Sequence, residues 1–244
     1  MAIDYNKYGT LIIDNLEGGY FHPDMYAKDP GFFSGRGEKY NATIDKAYKQ
    51  SGETMFGFDR KAGGELNTRA PMVKFWKLID QYYTPHHAET TWWSEKGGKF
   101  RNGKASGIPS TVGTQLRQYA AQTMGEQYES LAKRYLTAEA KKIIESDPGL
   151  ILQFFYACWN GSGRFKKFAE VVNNAIKKGT KDPGKLQDLV QAKRVEIYTA
   201  ANHVQSKNVP ALVNKVGGAT GGGFPKWIIA AGVGAILLFI FLRK

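Results

Sequence analysis

Residues 147–163 read DPGLILQFFYACWNGSG. Asp147 followed by Pro148 is a helix start, because an aspartate oxygen can accept from the free amides of the first turn and proline is pre-set for the first helical position. From Leu150 to Trp159 apolar side chains cover nearly every face, with Gln153 the one clearly polar interruption. A helix that is apolar all round is a buried one. Gly161 and Gly163 then break it. The stretch predicts a mainly α domain arranged around a central helix.

Working outward, helical spacing recurs on both sides. Towards the C-terminus, Phe165, Phe168, Val172 and Ile176 form an apolar stripe ending at Gly179, and Asp182-Pro183 opens a helix with Leu186, Leu189, Val190 and Ile197 as core positions. Towards the N-terminus, Thr137 is placed to cap a helix through Ile144, and Ser110 one that runs through Tyr119 to about Leu136. Pro71 starts a helix over 71–83 with Met72, Trp76, Ile79 and Tyr83 as its stripe. The first helix is expected over Asp4 to Leu16, with Tyr8, Leu11, Ile12 and Leu16 inward and Gly18-Gly19 ending it. Between the first two helices, glycines alternate with short aromatic runs such as Met55-Phe56-Gly57-Phe58, which suits loops and one or two hairpins. The expected total is seven helices with very little sheet.

The 244 residues carry 34 Lys+Arg against 22 Asp+Glu, one cysteine and 42% apolar side chains, enough for a packed core and too apolar for a disordered chain. A lone Cys158 excludes a disulfide framework and a multi-cysteine zinc site. The net charge of +12 invites anionic partners, namely nucleic acid, cell-wall polymer or lipid headgroups. A mean hydropathy of −0.41 conceals a segregated C-terminus, WIIAAGVGAILLFIFL over 227–242. As a helix it reaches roughly 24 Å at about 1.5 Å per residue, and Lys226, Arg243 and Lys244 can extend to the headgroups on either side. Before it, GGATGGG over 217–223 forms a tether with a reach on the order of 15 Å. The expected organisation is a helical domain over 1–205, a Gly-rich linker over 206–225 and a transmembrane tail anchor over 226–244. The start MAIDYNKYGT has no basic, apolar secretory pattern.

The most informative chemistry lies in Leu16-Glu17-Gly18-Gly19-Tyr20. A carboxylate at the end of an amphipathic helix, just before two residues without side chains, stands at an edge with room for a bulky ligand. An apolar wall and the negative end of the helix dipole both favour its protonated form, which is what a general acid on a glycosidic oxygen needs. Taken alone, the pattern fits a solvated last-turn glutamate better. Further elements follow: Asp29-Pro30-Gly31, then Gly52-x-Thr54-x-Phe56-Gly57.

In this order the three elements resemble the EGGY-type endolysins of the lysozyme superfamily, with a longer spacer between the second and third. Trp159-Asn160-Gly161 is similar to the Tyr-Asn-Ala-Gly turn of lytic transglycosylases and goose-type lysozymes, one residue shorter and with Trp for Tyr. The resemblance implies an α+β lysozyme-like fold, a peptidoglycan-cleaving activity, Glu17 as the catalytic acid, and Tyr20, Thr54, Trp159 and Asn160 in the sugar cleft. Each has a plainer reading. Trp159 suits a core position, Asn160 a helix cap and Thr54 a turn-stabilising hydroxyl.

A hydrolase of this kind adds a second carboxylate, for which Asp24, Asp29, Glu53 and Asp59 are all available; a lytic transglycosylase needs none, because the muramyl 6-hydroxyl replaces water. The Trp-Asn-Gly turn leans towards the lyase. Tyr82, Tyr83, Trp92 and Trp93 are further stacking candidates, whereas Trp76 reads as core. His86, His87 and Glu89 make only a partial metal set, so neither metal nor cofactor is expected. The loop holding Lys96, Lys99, Arg101 and Lys104 lacks any nucleic-acid motif, and no specific nucleic acid is expected. The implied partners are peptidoglycan glycan strands, a lipid membrane through 227–242 and other virion proteins. The implied location is the virion membrane of a bacteriophage or the host inner membrane. A non-enzymatic structural or glycan-binding virion protein is the alternative of another class.

Overall fold

The computed structural model describes residues 3–15, 54–61, 63–82 and 110–200, together with Val209, Leu212 and Val213. The described part is mainly helical. Its elements are α1 (Tyr5–Asn15), strands β1 (Thr54–Met55) and β2 (Phe58–Asp59), a 3-10 turn (Gly64–Thr68), α2 (Ala70–Tyr82), α3 (Ser110–Tyr135), α4 (Ala138–Ser146), α5 (Pro148–Trp159), α6 (Ser162–Lys177) and α7 (Pro183–Ala200). The chain forms two compact units, dividing between Gln127 and Tyr128 within α3. Among the described residues no helix is long and apolar enough to cross a membrane, and the apolar run 227–242 lies outside them, as does the tether 217–223.

In the first unit α1 lies antiparallel on α3, and small residues set how close they come. A Cβ on Gly9 would sit 2.4 Å from Ala121 Cβ and 2.7 Å from its Cα, and one on Gly125 would fall 2.6 Å from the Tyr5 ring. Tyr8, Gly9, Ile12 and Ile13 are buried as a result. The sequence stripe placed Leu11 inward; it is only half-buried, because the contact at Gly9 rotates the buried arc towards Ile13. On α2 the buried side chains are Met72, Phe75, Trp76 and Ile79, and the expected Tyr83 lies outside the described residues.

The second unit is arranged around α5, buried from Gly149 to Trp159. Its start is set by Asp147, whose Oδ1 accepts from the Leu150 amide at 2.7 Å and from Gln187 Nε2 at 2.7 Å. Thr137 caps α4 through the Ala140 amide, and Gly179, with φ of 93°, ends α6. Aromatic side chains fill the space around α5: Phe154 meets Phe165 edge-on at 5.1 Å and Tyr128 lies 5.9 Å from Phe155. Burial and the nearby Glu145 carboxylate push the Tyr128 hydroxyl well above its ordinary range.

The face of α7 differs from its apolar pattern. Leu186 and Val190 are buried as expected, but Leu189 is 40% exposed and Ile197 half-buried, while Gln187, Gln191 and Arg194 turn inward. The Asp147–Gln187 bond and the fit of Gln187 against Gly149 select this rotation. Arg194 donates to the Gln153 carbonyl at 3.2 Å and lies over the Phe168 ring at 4.9 Å. The side-chain amides of Gln153 and Gln191 are buried with no hydrogen-bond partner among the described residues. Val209, Leu212 and Val213 are also helical and buried, within the stretch expected as linker.

Two stability outcomes follow from this packing. Gly9→Ala is expected to lower the unfolding free energy by about 1–3 kcal/mol, since a rigid Cβ–backbone overlap has to push the helices apart. Gln153→Met, which replaces an unsatisfied buried amide by an apolar chain of similar length, is expected to raise it by about 1–2 kcal/mol. Urea denaturation of each variant measures both; an unchanged midpoint for Gly9→Ala would mean that α1 does not hold this approach.

Candidate functional site

Among the sequence-predicted site residues, Thr54, Asp59, Trp159 and Asn160 are described; Glu17, Tyr20, Asp24, Asp29 and Glu53 lie outside the described residues. So do Tyr83, His86, His87, Glu89, Trp92, Trp93, the basic loop from Lys96 to Lys104 and the Asp29-Pro30-Gly31 element. Thr54 and Asp59 come together in the first unit. Trp159 and Asn160 come together in the second.

The Gly-x-Thr-x-Phe-Gly motif forms a two-stranded antiparallel hairpin with Met55 opposite Phe58 and Thr54 opposite Asp59. Phe56 and Gly57 make the turn with φ of 54° and 76°. Two successive positive φ values match the twist of a two-residue hairpin, and glycine takes the second without cost. For Phe56 this backbone is strained, on the order of 1 kcal/mol or more. Its buried ring compensates, meeting Phe75 edge-on at 6.0 Å and lying under the Arg117 guanidinium at 5.7 Å.

Alternation along the strands buries Met55 and Phe58 and leaves Thr54 and Asp59 half-buried, paired across the hairpin. Such opposed side chains have Cβ atoms about 4.5–5.5 Å apart. The end of β2 is fastened by Asn67, whose Nδ2 donates to the carbonyls of Asp59 at 3.1 Å and Arg60 at 2.7 Å while its Oδ1 accepts from Trp76 Nε1 at 2.9 Å. Arg60 in turn pairs with Asp80 at 2.8 Å. Asn67 holds only the backbone of Asp59, and burial raises the Asp59 carboxyl above its ordinary value of 3.8. Thr54 and Asp59 thus stand opposite each other across the hairpin, and the Asp59 carboxyl holds its proton more tightly than usual.

The C-terminal turn of α1 belongs to the same unit. Arg117, on α3 and 8% exposed, donates from Nε at 3.1 Å and Nη2 at 2.9 Å to Asp14 Oδ1, and its guanidinium lies over the Phe56 ring at 5.7 Å. In sequence Glu17 follows Asp14 by three positions. Neither Arg117 nor Asn67 stood out in the sequence, since no local pattern marks one arginine in a long helix or one asparagine in a short turn.

At the end of α5, Trp159 is 9% exposed and Asn160 caps the helix. Asn160 Nδ2 donates to the Tyr156 carbonyl at 2.9 Å, and its Oδ1 accepts from Arg164 Nη1 at 2.6 Å. Gly161, with φ of 100° and ψ of 155°, occupies a backbone region open essentially to glycine alone. The open groove along the end of α3 and the start of α4, lined by Glu129, Lys133, Leu136, Thr137 and Lys141, holds none of these residues.

No family model, curated protein or solved structure matches the chain.

The raised value at Asp59 has a definite sign in stability. Below the unfolded value the carboxyl is protonated in both states and burial costs nothing; as pH rises through the raised folded value, the cost of burying the charge appears in full. Asp59→Asn is therefore expected to gain stability relative to the parent at pH 7, with the gain shrinking at pH 3. Thermal melts at the two pH values check this; an equal gain at both would exclude the desolvated charge as its source.

Proposed function

We propose that this protein cleaves the MurNAc–GlcNAc glycan strands of bacterial peptidoglycan, with Glu17 as the single general acid and base in a lytic transglycosylase reaction. The observation that carries the reading is the hairpin. The Gly-x-Thr-x-Phe-Gly motif forms a hairpin in which Thr54 pairs across the strands with Asp59, and Arg117 contacts both Phe56 in its turn and Asp14 on α1.

In the reaction, protonated Glu17 donates its proton to the glycosidic oxygen and the bond to the muramyl anomeric carbon breaks, leaving positive charge on the ring. The carboxylate then takes the proton of the muramyl 6-hydroxyl as that oxygen closes on the anomeric carbon, giving a 1,6-anhydro end and regenerating the acid. Tyr20, Thr54, Trp159 and Asn160 are assigned to the sugar cleft on the motif resemblance, with Asn160 also serving as a helix cap. In this reading no metal or cofactor takes part.

A hydrolytic muramidase is the second reading, and Asp59 favours it. A half-buried carboxyl paired across the hairpin with a threonine is suited to holding a water, which would replace the 6-hydroxyl as nucleophile and leave a reducing end.

The apolar run 227–242 and the tether before it support anchoring to a lipid membrane, which together with the endolysin resemblance suggests the virion membrane of a bacteriophage or the host inner membrane. The excess of Lys and Arg suits anionic wall and membrane surfaces.

On zymograms of purified cell wall the parent chain is expected to leave a cleared band and Glu17→Gln none, with the melting temperature of the variant unchanged. Clearing by Glu17→Gln would reject the assignment, and no clearing by the parent would favour a structural or glycan-binding role. Mass spectrometry of the products separates the two reactions, with anhydro-muramyl ends expected for the lyase and reducing ends for the hydrolase.

A further inference from the structure

We propose that the exposed face of α6, with Lys166, Lys167, Lys177 and Lys178 along it, is the surface through which the second unit lies against an anionic lipid bilayer. The choice of a bilayer as partner rests on the reading of 227–242 as a membrane anchor.

The four lysines share one side of the helix because the other side is taken. Phe165, Phe168, Ala169, Val172, Ala175 and Ile176 are buried, which leaves Gly163, Lys166, Lys167, Glu170, Asn174 and Lys177 exposed, with Lys178 at the cap. At 3.6 residues per turn these positions fall within about 60° either side of one line, and they extend over about 22 Å.

Elsewhere in the unit lysines meet carboxylates: Lys141 lies 2.8 Å from Glu129, Lys181 2.6 Å from Glu139 and Lys193 2.6 Å from Glu196. On α6 the single acid, Glu170, lies 3.9 Å from Lys166, and Lys167, Lys177 and Lys178 have no carboxylate partner among the described residues. Helix stability accounts for half of this arrangement. Lys177 and Lys178 suit the negative end of the helix dipole, but the first turn holds no acid and carries Arg164, with Lys166 and Lys167 following, against what the positive end favours. Charge stands where folding does not ask for it.

The face holds no aromatic ring and no large exposed apolar side chain, so it has nothing to stack on bases or to insert between acyl chains. Its cations are lysines, point charges without the planar fork that arginine brings to a defined phosphate. Such a face suits a partner that is flat, fluid and negatively charged, which is a sheet of anionic headgroups. The apolar run 227–242 gives the same chain a reason to be at one. Each lysine at such a surface contributes about fivefold in affinity, and the attraction fades beyond a Debye length of about 8 Å.

The test uses the full chain with Asn174→Cys, spin-labelled in the middle of the face; Cys158 is fully buried and stays unlabelled. Collision of the label with a water-soluble nickel chelate is measured with vesicles of phosphatidylcholine alone and of phosphatidylcholine with phosphatidylglycerol. A severalfold fall in collision is expected with the anionic vesicles only, reversed by high salt. Combining Lys166→Gln, Lys167→Gln, Lys177→Gln and Lys178→Gln should abolish the fall and leave the melting temperature near the parent's, since all four side chains are exposed. An equal signal on both vesicles, a fall that survives in the combined variant, or a fall produced by duplex DNA or purified cell wall but not by anionic vesicles would each overturn the proposal.

Flotation with phosphatidylcholine vesicles reports the anchor separately. A chain that fails to float rejects the anchor and leaves the α6 result standing, while one that floats yet shows no protection at position 174 on anionic vesicles rejects only the α6 face.

Discussion

The close approach of α1 to α3 is the constraint on which the first unit depends. Because Gly9 lacks a side chain, the helix backbone comes down onto Ala121, and everything later on α1 is placed by that contact. Ile13 turns inward in place of Leu11, and Asp14 arrives within hydrogen-bonding distance of Arg117. The same guanidinium lies over the Phe56 ring at 5.7 Å. A steric fact at one glycine thus fixes an electrostatic contact one and a half turns further on, and through it the hairpin.

The second unit meets a different demand. Its central helix is buried from end to end, so each polar group on it needs an answer from a neighbouring helix. Asp147 answers twice, holding the first-turn amide of α5 and the side chain of Gln187 with one oxygen. That second bond sets the rotation of α7, with the consequence that Gln191 and Arg194 go in while Leu189 goes out. The unsatisfied amides of Gln153 and Gln191 are the cost of this choice, and they mark the seam between α5 and α7 as polar where a purely apolar one would hold more tightly.

What was legible in the sequence was what is decided locally. The starts at Thr137 and Asp147, the stop at Gly179, the all-apolar α5 and the turn at Phe56-Gly57 each depend on residues a few positions apart, and each forms where the pattern places it. Rotations of helices about their own axes are decided by partners far away in the chain. Leu11, Leu189 and Ile197 were therefore misjudged by an apolar count that had no means of weighing Gly9 against Ala121 or Gln187 against Asp147. The pairing of Thr54 with Asp59 lies in between: a two-residue turn implies it, but the desolvation of Asp59 comes from its burial in the folded unit. Arg117 was invisible, since its meaning lies entirely in which two elements it joins.

The hairpin carries strain in two forms that packing alone does not require. Phe56 holds a backbone conformation that a glycine would adopt freely, and Asp59 holds a carboxyl that an asparagine would replace without a charge to desolvate. The first is held from outside the hairpin by Phe75 and Arg117, while Asn67 fixes only the backbone of the second. A residue held in a sparsely populated backbone region persists only where its surroundings over-determine it. The residues that hold Phe56 come from α2 and α3, so the surrounding helices maintain the hairpin turn against its own backbone preference.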